Sequence, residues 1–410
     1  MSDGIDLFDG DVSDEEHYAD SYVEEPAPRG RTRPRGKKKA RWIILLVAVA
    51  LIIAGAGFGV LQVLGLGYYP DYSGSGTTDV IFEINSGDTV RDMGTNMQQA
   101  GIVQSANAFV KAARDNDKVV ALQPGYYQLK EQMSGAAAVA ALAAPASRVG
   151  QVSVKAGMML NDTTSTTGKV SPGILSKIAA ATCAKLNGRS TCLAVSDFQN
   201  AIQNTSPAAL GVPSWAIPSV TAADAKHKLE GLLLPGVYNI RPGATAAQDL
   251  SQMLSQSAAQ LQAAGLPSTV QQQTGFSPYQ ILILASIVER ESGIESDMPK
   301  IARVLYNRLV QTPNYLGLDS TVDYGLDRPM VRTSPAERPG AGAYDSYDNP
   351  GLPPTPISSP SSVAIQGALE PATGPWLFFV VCQKDGTSCF ATTYQDHLKN
   401  VTLAQQNGAY

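Results

Sequence analysis

Histidine is scarce in this chain, with three in 410 residues, and cysteine is limited to four. That combination argues against a metal centre: neither close cysteine pair has C-x2-C spacing, and the nearest histidine, His397, stands alone, so neither metal nor cofactor is expected. Charge is thin too. Charged residues make up 16% of the chain, against roughly 25% in an average soluble protein, and the net charge is −5, so nucleic acid is not an expected partner. Apolar runs long enough to cross a membrane are missing with one exception. What is plentiful is hydrophobic residues, at 44%, which excludes a mainly disordered chain, and 410 residues exceed one typical domain.

The charge that exists is unevenly placed. Residues 1–28 carry ten acidic and no basic side chains, and eight Lys or Arg fall between Arg29 and Arg41. The remainder of the chain holds 23 basic and 26 acidic residues. Directly after the basic cluster, WIILLVAVALIIAGAGFGVL runs from Trp42 to Leu61 without a charge, long enough to cross a hydrocarbon core of about 30 Å. The segment lies behind 41 polar residues, unlike the apolar core of a cleaved signal peptide, and it lacks the polar face of a buried globular helix. The flanking cations place residues 1–41 in the cytoplasm as a disordered tail and everything after the span outside. The expected layout is a membrane helix over 42–64, a flexible linker over 65–78 and a folded external body. The tail is a candidate contact for other proteins or for anionic lipid headgroups near Arg29 to Arg41.

All four cysteines, Cys183, Cys192, Cys382 and Cys389, lie beyond the span, on the side where disulfides persist. Short loops favour Cys183–Cys192 and Cys382–Cys389 among the three pairings that four cysteines permit.

DVIFEI (Asp79 to Ile84) has the alternating, β-branched character of a strand. Ser86 or Asp88 is placed to cap a helix ending at Gly101, Ser105 to Arg114 forms a second, and Val119 to Leu129 gives a strand with a Pro-Gly turn. This β-α-α-β order over 79–150 resembles the LysM fold; a small spacer that binds no sugar has the same pattern. Ser134 to Ala146 fits either a helix or a linker. VSVKAG (Val152 to Gly157) opens another strand, and LEGLLLPGVYNI (Leu229 to Ile240) echoes LQPGYYQL (Leu122 to Leu129), as if one local fold occurred twice. The polar stretch between, about 163–221, is predicted to be a helical insertion. The expected fold class is therefore α+β: one transmembrane helix, a small LysM-like module, and a mixed α+β domain over 151–410.

Chemistry is concentrated in SPYQILILASIVERESG. Ser277 caps, Pro278 occupies the first helical position and Gly293 supplies a left-handed stop, which predicts about fourteen residues of apolar helix closed by two glutamates. On a 3.6-residue period Glu291 shares a face with Val288, Ile287 and Leu284, whereas Glu289 lies beside Ser286, Ala285 and Leu282. A poorly hydrated carboxyl holds its proton near neutral pH, as a general acid must. The same spacing also allows Glu291 simply to end the helix, turned to solvent or paired with Arg303.

Six stretches in order carry a wider resemblance: LEGLLLPGVYNI, LASIVERES (Leu284 to Ser292), IARVLYNRL (Ile301 to Leu309), LDSTVDYGL (Leu318 to Leu326), YDSYDNPGLPPTPISSPS (Tyr344 to Ser361) and an FFV…F…T…H tail (Phe378 to His397). Together with the anchor and the small module they resemble the MltG/YceG-like family of endolytic murein transglycosylases, membrane-anchored enzymes that cut peptidoglycan glycan strands. The resemblance places the catalytic acid on the second glutamate of E-x-E, Glu291. It implies a non-hydrolytic cut: one carboxyl protonates the bridging oxygen between MurNAc and GlcNAc, then takes the proton of the MurNAc C6 hydroxyl, which closes on C1 as a 1,6-anhydro end. An intramolecular nucleophile can replace the second carboxylate of ordinary glycosidases.

Glu230 and the Asp319-Ser320-Thr321 segment are then candidates to stabilise a positive transition state, with Asn307, Tyr324, Tyr344 and Tyr347 as contacts for sugar hydroxyls or acetamido groups. Asn307 and Asp319 also fit helix or turn caps, and the tyrosines fit packing positions. The proline-dense run Gly351 to Ser361, ahead of a helix over Ser362 to Leu369, is suited either to holding an extended strand or to structural support. The chain departs from the usual family pattern in having Tyr344-Asp345-Ser346-Tyr347 for Tyr-Asn-Thr-Tyr, and in both cysteine pairs. Two other functions fit the same residues: a non-catalytic peptidoglycan-binding scaffold, and a hydrolytic muramidase using Glu289, Asp319 or Asp323 as second carboxylate.

Overall fold

The structure, a computed structural model, describes residues 37–63, 69–114, 116–266, 274–329 and 333–409, with side chains of the first helix described from Trp42 to Val60. The expectations for residues 1–36 and for the first part of the linker lie outside the described residues. The chain divides into two units, residues 1–67 and 68–410.

In the first unit a helix runs over Lys37–Val63. Its 27 residues span about 40 Å, and Trp42–Val60 is long and apolar enough to cross a membrane, with none of it buried. Trp42, Ile44, Leu51 and Ile53 all point outward, so the helix has no polar face to offer water.

The second unit opens with the expected β-α-α-β order. Strand Asp79–Ile84 pairs antiparallel with strand Gly125–Lys130, and helices Val90–Gln99 and Ala106–Ala113 cover one face of the pair. Phe82, Ile84, Met93, Met97, Phe109, Tyr127 and Leu129 form the core between them. The first cap differs from expectation. Thr89, rather than Ser86 or Asp88, accepts from the Asp92 N–H, and Asp92 returns a bond to the Thr89 N–H. Asp88 is engaged one step earlier, accepting from the Asn85 N–H and closing the preceding turn. The second strand begins only at Gly125, because Asp117–Val120 folds as a short helical turn. The alanine-rich stretch is a helix, Gly135–Leu142, capped by Ser134.

A second core is built on strand Gln151–Val154, antiparallel to Gly236–Asn239. The sequence echo has a physical basis here. In Gln123-Pro-Gly-x-Tyr127 the tyrosine hydroxyl donates to the Gln123 carbonyl at 2.7 Å, and in Leu234-Pro-Gly-x-Tyr238 it donates to the Leu234 carbonyl at 2.6 Å. In both places the Pro-Gly turn is stapled by the ring it introduces, and a Ser- or Thr-capped helix follows, Gly135–Leu142 or Ala246–Ala263.

The predicted helical insertion is helical in part. Helices Ile174–Ala181, Val195–Asn204 and Ile217–Ala222 alternate with two small hairpins, Thr163–Ser171 and Lys185–Ser190. Ile174, Leu175, Ile178, Phe198 and Ile202 belong to the main core, so this region is integral to the body. The second hairpin turns through Asn187 and Gly188, both at positive φ, and the Cys183–Cys192 disulfide closes it. Its tip reaches the edge strand: the Asp79 N–H donates to Asn187 Oδ1 (2.8 Å), and the Asn187 N–H donates to Asp79 Oδ2 (2.9 Å). The Gln128 amide adds a bond to the Lys185 carbonyl at 2.8 Å.

The main core continues through helices Pro278–Glu291, Met298–Leu309, Asp319–Gly325 and Ser362–Leu369. A C-terminal hairpin, Phe378–Val381 with Ser388–Ala391, is bridged by Cys382–Cys389 and backed by helix Tyr394–Asn407. Both favoured cysteine pairings are thus present.

Candidate active site

Helix Pro278–Glu291 has the predicted fourteen residues, with Ser277 and Gln280 forming a reciprocal cap around Pro278. Every residue from Tyr279 to Val288 except the exposed capping Gln280 is buried. The helix therefore has no solvent face along most of its length, and the facing argument alone does not separate its two acids. Their partners do. Glu289 Oε2 accepts from the Ser361 N–H at the start of helix Ser362–Leu369. Glu291, half-buried at the last turn, accepts the Ser320 hydroxyl on Oε1. Arg303 is occupied elsewhere, donating to the Ala372 carbonyl.

The helix ends differently from expectation. Gly293 is not left-handed; a Cβ there would stand 2.4 Å from the Gly386 carbonyl oxygen. Glycine is needed for close approach of two backbones, and that contact seats the turn of the C-terminal hairpin against the Glu291 end of the helix. Asp297 reinforces it, accepting from the Ser388 N–H at 2.7 Å.

Burial raises the Glu291 pKa above its ordinary value, and the charge of Asp319 adds to the rise; the Ser320 hydroxyl and the Arg308 guanidinium oppose it. Asp319 accepts from the Thr333 hydroxyl and from the Tyr347 hydroxyl, the latter at 3.1 Å. Arg338 stacks over the Tyr347 ring at 3.4 Å. Burial, with Asp319 and Glu291 nearby, pushes the Tyr347 hydroxyl up to about 12, so it remains a hydrogen-bond donor. Arg308 donates to the Leu377 carbonyl at 2.8 Å and to the Leu316 carbonyl, which ties the entry of the hairpin to the loop before Asp319. Glu291, Ser320, Asp319, Tyr347 and Arg308 thus make one cluster.

Four of the remaining candidates, Glu230, Thr321, Tyr324 and Tyr344, are buried, and Asn307 is half-buried. Glu230 is 1% exposed and accepts the Leu160 N–H on both carboxyl oxygens, at 3.1 and 3.0 Å, and the Tyr324 hydroxyl at 3.1 Å. Burial drives its pKa to about 7. Tyr324 meets Tyr344 edge-on at 4.9 Å, and the Tyr344 hydroxyl pairs with Thr355 at 2.8 Å. Thr321, fully buried, donates to the Leu318 carbonyl and is linked to Ser346. The Asn307 amide donates to the carbonyls of Gly374 and Trp376, at 3.0 and 2.8 Å, holding the chain ahead of the hairpin. In this geometry only Asp319 and Tyr347, of the seven residues predicted to contact substrate, join the Glu291 cluster directly.

The proline-dense run is interior, with residues 355–360 buried. The Ile357 N–H donates to Ser286 Oγ at 3.0 Å, and Ser359 Oγ donates to the Leu233 carbonyl at 2.6 Å. The run braces the glutamate helix against the Leu229 to Ile240 segment, which answers the choice left by sequence in favour of support. Arg308 and Arg290 were not singled out by sequence reasoning. Arg290, between the two glutamates, sends one nitrogen to the Gly157 carbonyl at 3.3 Å, and its charge is felt by Glu230. The E-R-E triplet itself was the available signal, since a cation between two acids in an apolar helix needs a buried counter-charge.

Of the other carboxylates considered for directing water, Asp323 is fully buried and ion-paired with Arg328 at 2.7 Å. Glu289 serves as a helix cap.

Comparison with known proteins fits this arrangement. The profile described as YceG-like family matches residues 82–403. A protein named endolytic murein transglycosylase from Streptococcus pneumoniae (strain D39) is 27% identical over 372 residues, covering 88% of this chain and 65% of its own length. The endolytic murein transglycosylase of Bacillus subtilis (strain 168) is 28% identical over 188 residues, 46% of this chain and 51% of the relative. The chain thus spans just under two thirds of the pneumococcal relative and about half of the Bacillus one. A crystal structure of a yceG-like protein from Listeria monocytogenes superposes with a TM-score of 0.52 at 23% identity, covering 79% of this chain and 99% of that one, a likeness of fold.

Proposed function

The chain belongs to the YceG-like family, and from that premise we propose that it is a membrane-anchored endolytic lytic transglycosylase of peptidoglycan. It cuts the β-1,4 bond between MurNAc and GlcNAc in nascent glycan strands, leaves a 1,6-anhydroMurNAc end and so terminates strand elongation. The observation that carries the reading is the setting of Glu291: a half-buried carboxyl of raised pKa at the end of a buried helix, held through one oxygen by Ser320.

In the mechanism, Glu291 starts protonated. With Oε1 fixed by Ser320, the transferable proton sits on Oε2 and passes to the glycosidic oxygen as the bond to C1 breaks. The resulting carboxylate then takes the C6 hydroxyl proton while that oxygen closes on C1, and the enzyme returns to its starting state without consuming water. Proton donor and acceptor are one group, so its pKa must suit both steps; burial raises it, and Ser320 with Arg308 oppose the rise. Asp319, kept in place by Thr333 and Tyr347, offers negative charge to the oxocarbenium-like transition state.

Helix Lys37–Val63 anchors the protein in the plasma membrane with residues 1–41 in the cytoplasm and the catalytic body outside. The β-α-α-β module over 79–150 is a LysM-like spacer or glycan contact ahead of the catalytic domain over 151–410. The tail engages cell-wall synthesis or division proteins; its deletion without change in localisation or partners would remove that part. For the activity, the test is mass spectrometry of glycan strands treated with the full chain in detergent. Anhydro ends that disappear in Glu291→Gln are expected; reducing MurNAc ends, or uncut strands, would defeat the reading.

A further inference from the structure

The C-terminal hairpin carries an aromatic group that the chemistry above does not use. Phe378 opens the first strand, and two residues from the start of the following helix close around it: Tyr394, with ring centroids 5.8 Å apart, and His397, stacked at 5.4 Å with an interplanar angle of 24°. The alternation of the hairpin explains why these rings are not part of the main core. Phe379 and Phe390 pack towards that core, whereas Phe378 shares the opposite face with Val380, which is buried against the C-terminal helix. At the end of this face Tyr394 is 61% exposed. With Leu398, 47% exposed one turn on, Tyr394 extends the Phe378–His397 stack into an exposed apolar and aromatic patch.

The group is continuous with the Glu291 cluster. The Arg308 guanidinium carbon lies 5.8 Å from the Phe378 ring centre, and its charge acts on Glu291, Tyr347 and His397. Arg308 also bonds the carbonyl of Leu377, the residue before Phe378. Desolvation and the Arg308 charge both lower the His397 pKa, so the imidazole stays neutral and stacks as an uncharged ring. Flat rings beside a polar, hydrogen-bonding cluster suit one class of molecule, a pyranose, whose C–H face stacks on an aromatic while its equatorial hydroxyls reach polar groups.

We propose that Phe378, Tyr394 and His397 form a sugar-stacking subsite that holds the glycan strand beyond the scissile bond. It rests on the transglycosylase reading and specifies how that site grips a polymer. The subsite contributes binding shared by ground state and transition state, so its loss raises KM and spares kcat.

The test uses the full chain in detergent and two readouts. In the first, cleavage of defined glycan strands is followed for wild type, Tyr394→Ala and Tyr394→Trp. Tyr394→Ala is expected to raise KM about tenfold with kcat within twofold, and Tyr394→Trp to restore it. In the second, chitohexaose binding is measured on the Glu291→Gln background, with and without Tyr394→Ala; a loss of about tenfold in affinity is expected. Phe378→Ala is added where its melting temperature matches wild type. Unchanged KM and unchanged chitohexaose affinity in Tyr394→Ala would overturn the subsite while leaving the catalytic reading intact. Strands left uncut by wild type would instead defeat the catalytic reading, and the binding readout would then decide the subsite alone.

Discussion

Ser320, fully buried, gives its hydroxyl hydrogen to Oε1 of Glu291, joining the first turn of one helix to the last turn of another. The bond favours the ionised carboxyl, while burial favours the protonated one, and burial is the larger influence. Removing the hydroxyl as Ser320→Ala is therefore expected to raise the Glu291 pKa further. A general acid is lost as pH climbs through its pKa, so the alkaline limb of the rate profile should move to higher pH. The rate at its optimum should fall about tenfold, because the proton is no longer confined to one oxygen. A pH profile of kcat checks both; an alkaline limb unmoved or shifted to lower pH would contradict the assignment.

Glu291→Gln should lower cleavage by about 10² to 10⁴-fold with little change in thermal stability. Glu289→Gln should retain activity within a few-fold, since an amide oxygen can still accept from the Ser361 N–H. Equal losses in the two variants, measured as anhydro ends per unit time, would show that the acid had been misplaced.

Asp249 lies at the first turn of helix Ala246–Ala263, 1% exposed, with neither carboxyl oxygen hydrogen-bonded. Burial lifts its pKa from 3.8 to about 7. Between those values the folded protein binds the proton and the unfolded chain does not, so this group's contribution to stability is greatest at low pH and declines as pH rises towards 7, by roughly 4 kcal/mol in all. Asp249→Asn is expected to flatten that slope, raising stability by about 1–3 kcal/mol at pH 8 and leaving it unchanged near pH 4. Chemical denaturation at the two pH values measures the difference.

Gly293→Ala should be costly although no positive φ is involved. The added carbon meets the Gly386 carbonyl oxygen at 2.4 Å and the Gly386 Cα at 2.9 Å, so backbone has to yield. A loss of about 1–3 kcal/mol is expected, with a fall in cleavage as the hairpin shifts away from the Glu291 end. A variant as stable and as active as wild type would show the contact to be looser than described.

The parts of this architecture legible in the sequence are those written in local chemistry. The Ser277–Pro278 start located the glutamate helix, the end of the proline-dense run located its neighbour Ser362–Leu369, and β-branched alternation located Asp79–Ile84. Competing caps were harder: Ser86, Asp88 and Thr89 all carry an oxygen able to accept from a helix's first N–H groups, and only the turn that occupies Asp88 leaves the role to Thr89. Gly293 was recognised as special for the wrong reason, because its constraint comes from Gly386, 93 positions later. The candidate site followed the same rule. Glu291 is conspicuous as an acid closing an apolar helix, but Arg308, bonded to the Leu316 and Leu377 carbonyls, is defined by contacts that no periodicity announces. Asn307 and Tyr344 have the right chemistry for sugar, yet their bonds to Gly374, Trp376 and Thr355 are set by tertiary neighbours.

The exchange between Asp79 and Asn187 pairs the main-chain N–H of each residue with the side-chain oxygen of the other, so it depends on both side chains. It also occupies the outermost ladder position of an edge strand that would otherwise be open to pairing. The segment that leads into Asp79 is bonded to the small module at the Pro70 carbonyl, the Asp71 carboxylate and the Thr77 N–H, so a pull along it loads the module first and the disulfide-closed hairpin through Asp79 after it. Tension in the tether is borne by covalent and packed structure, and the small module is not left to swing as a pendant.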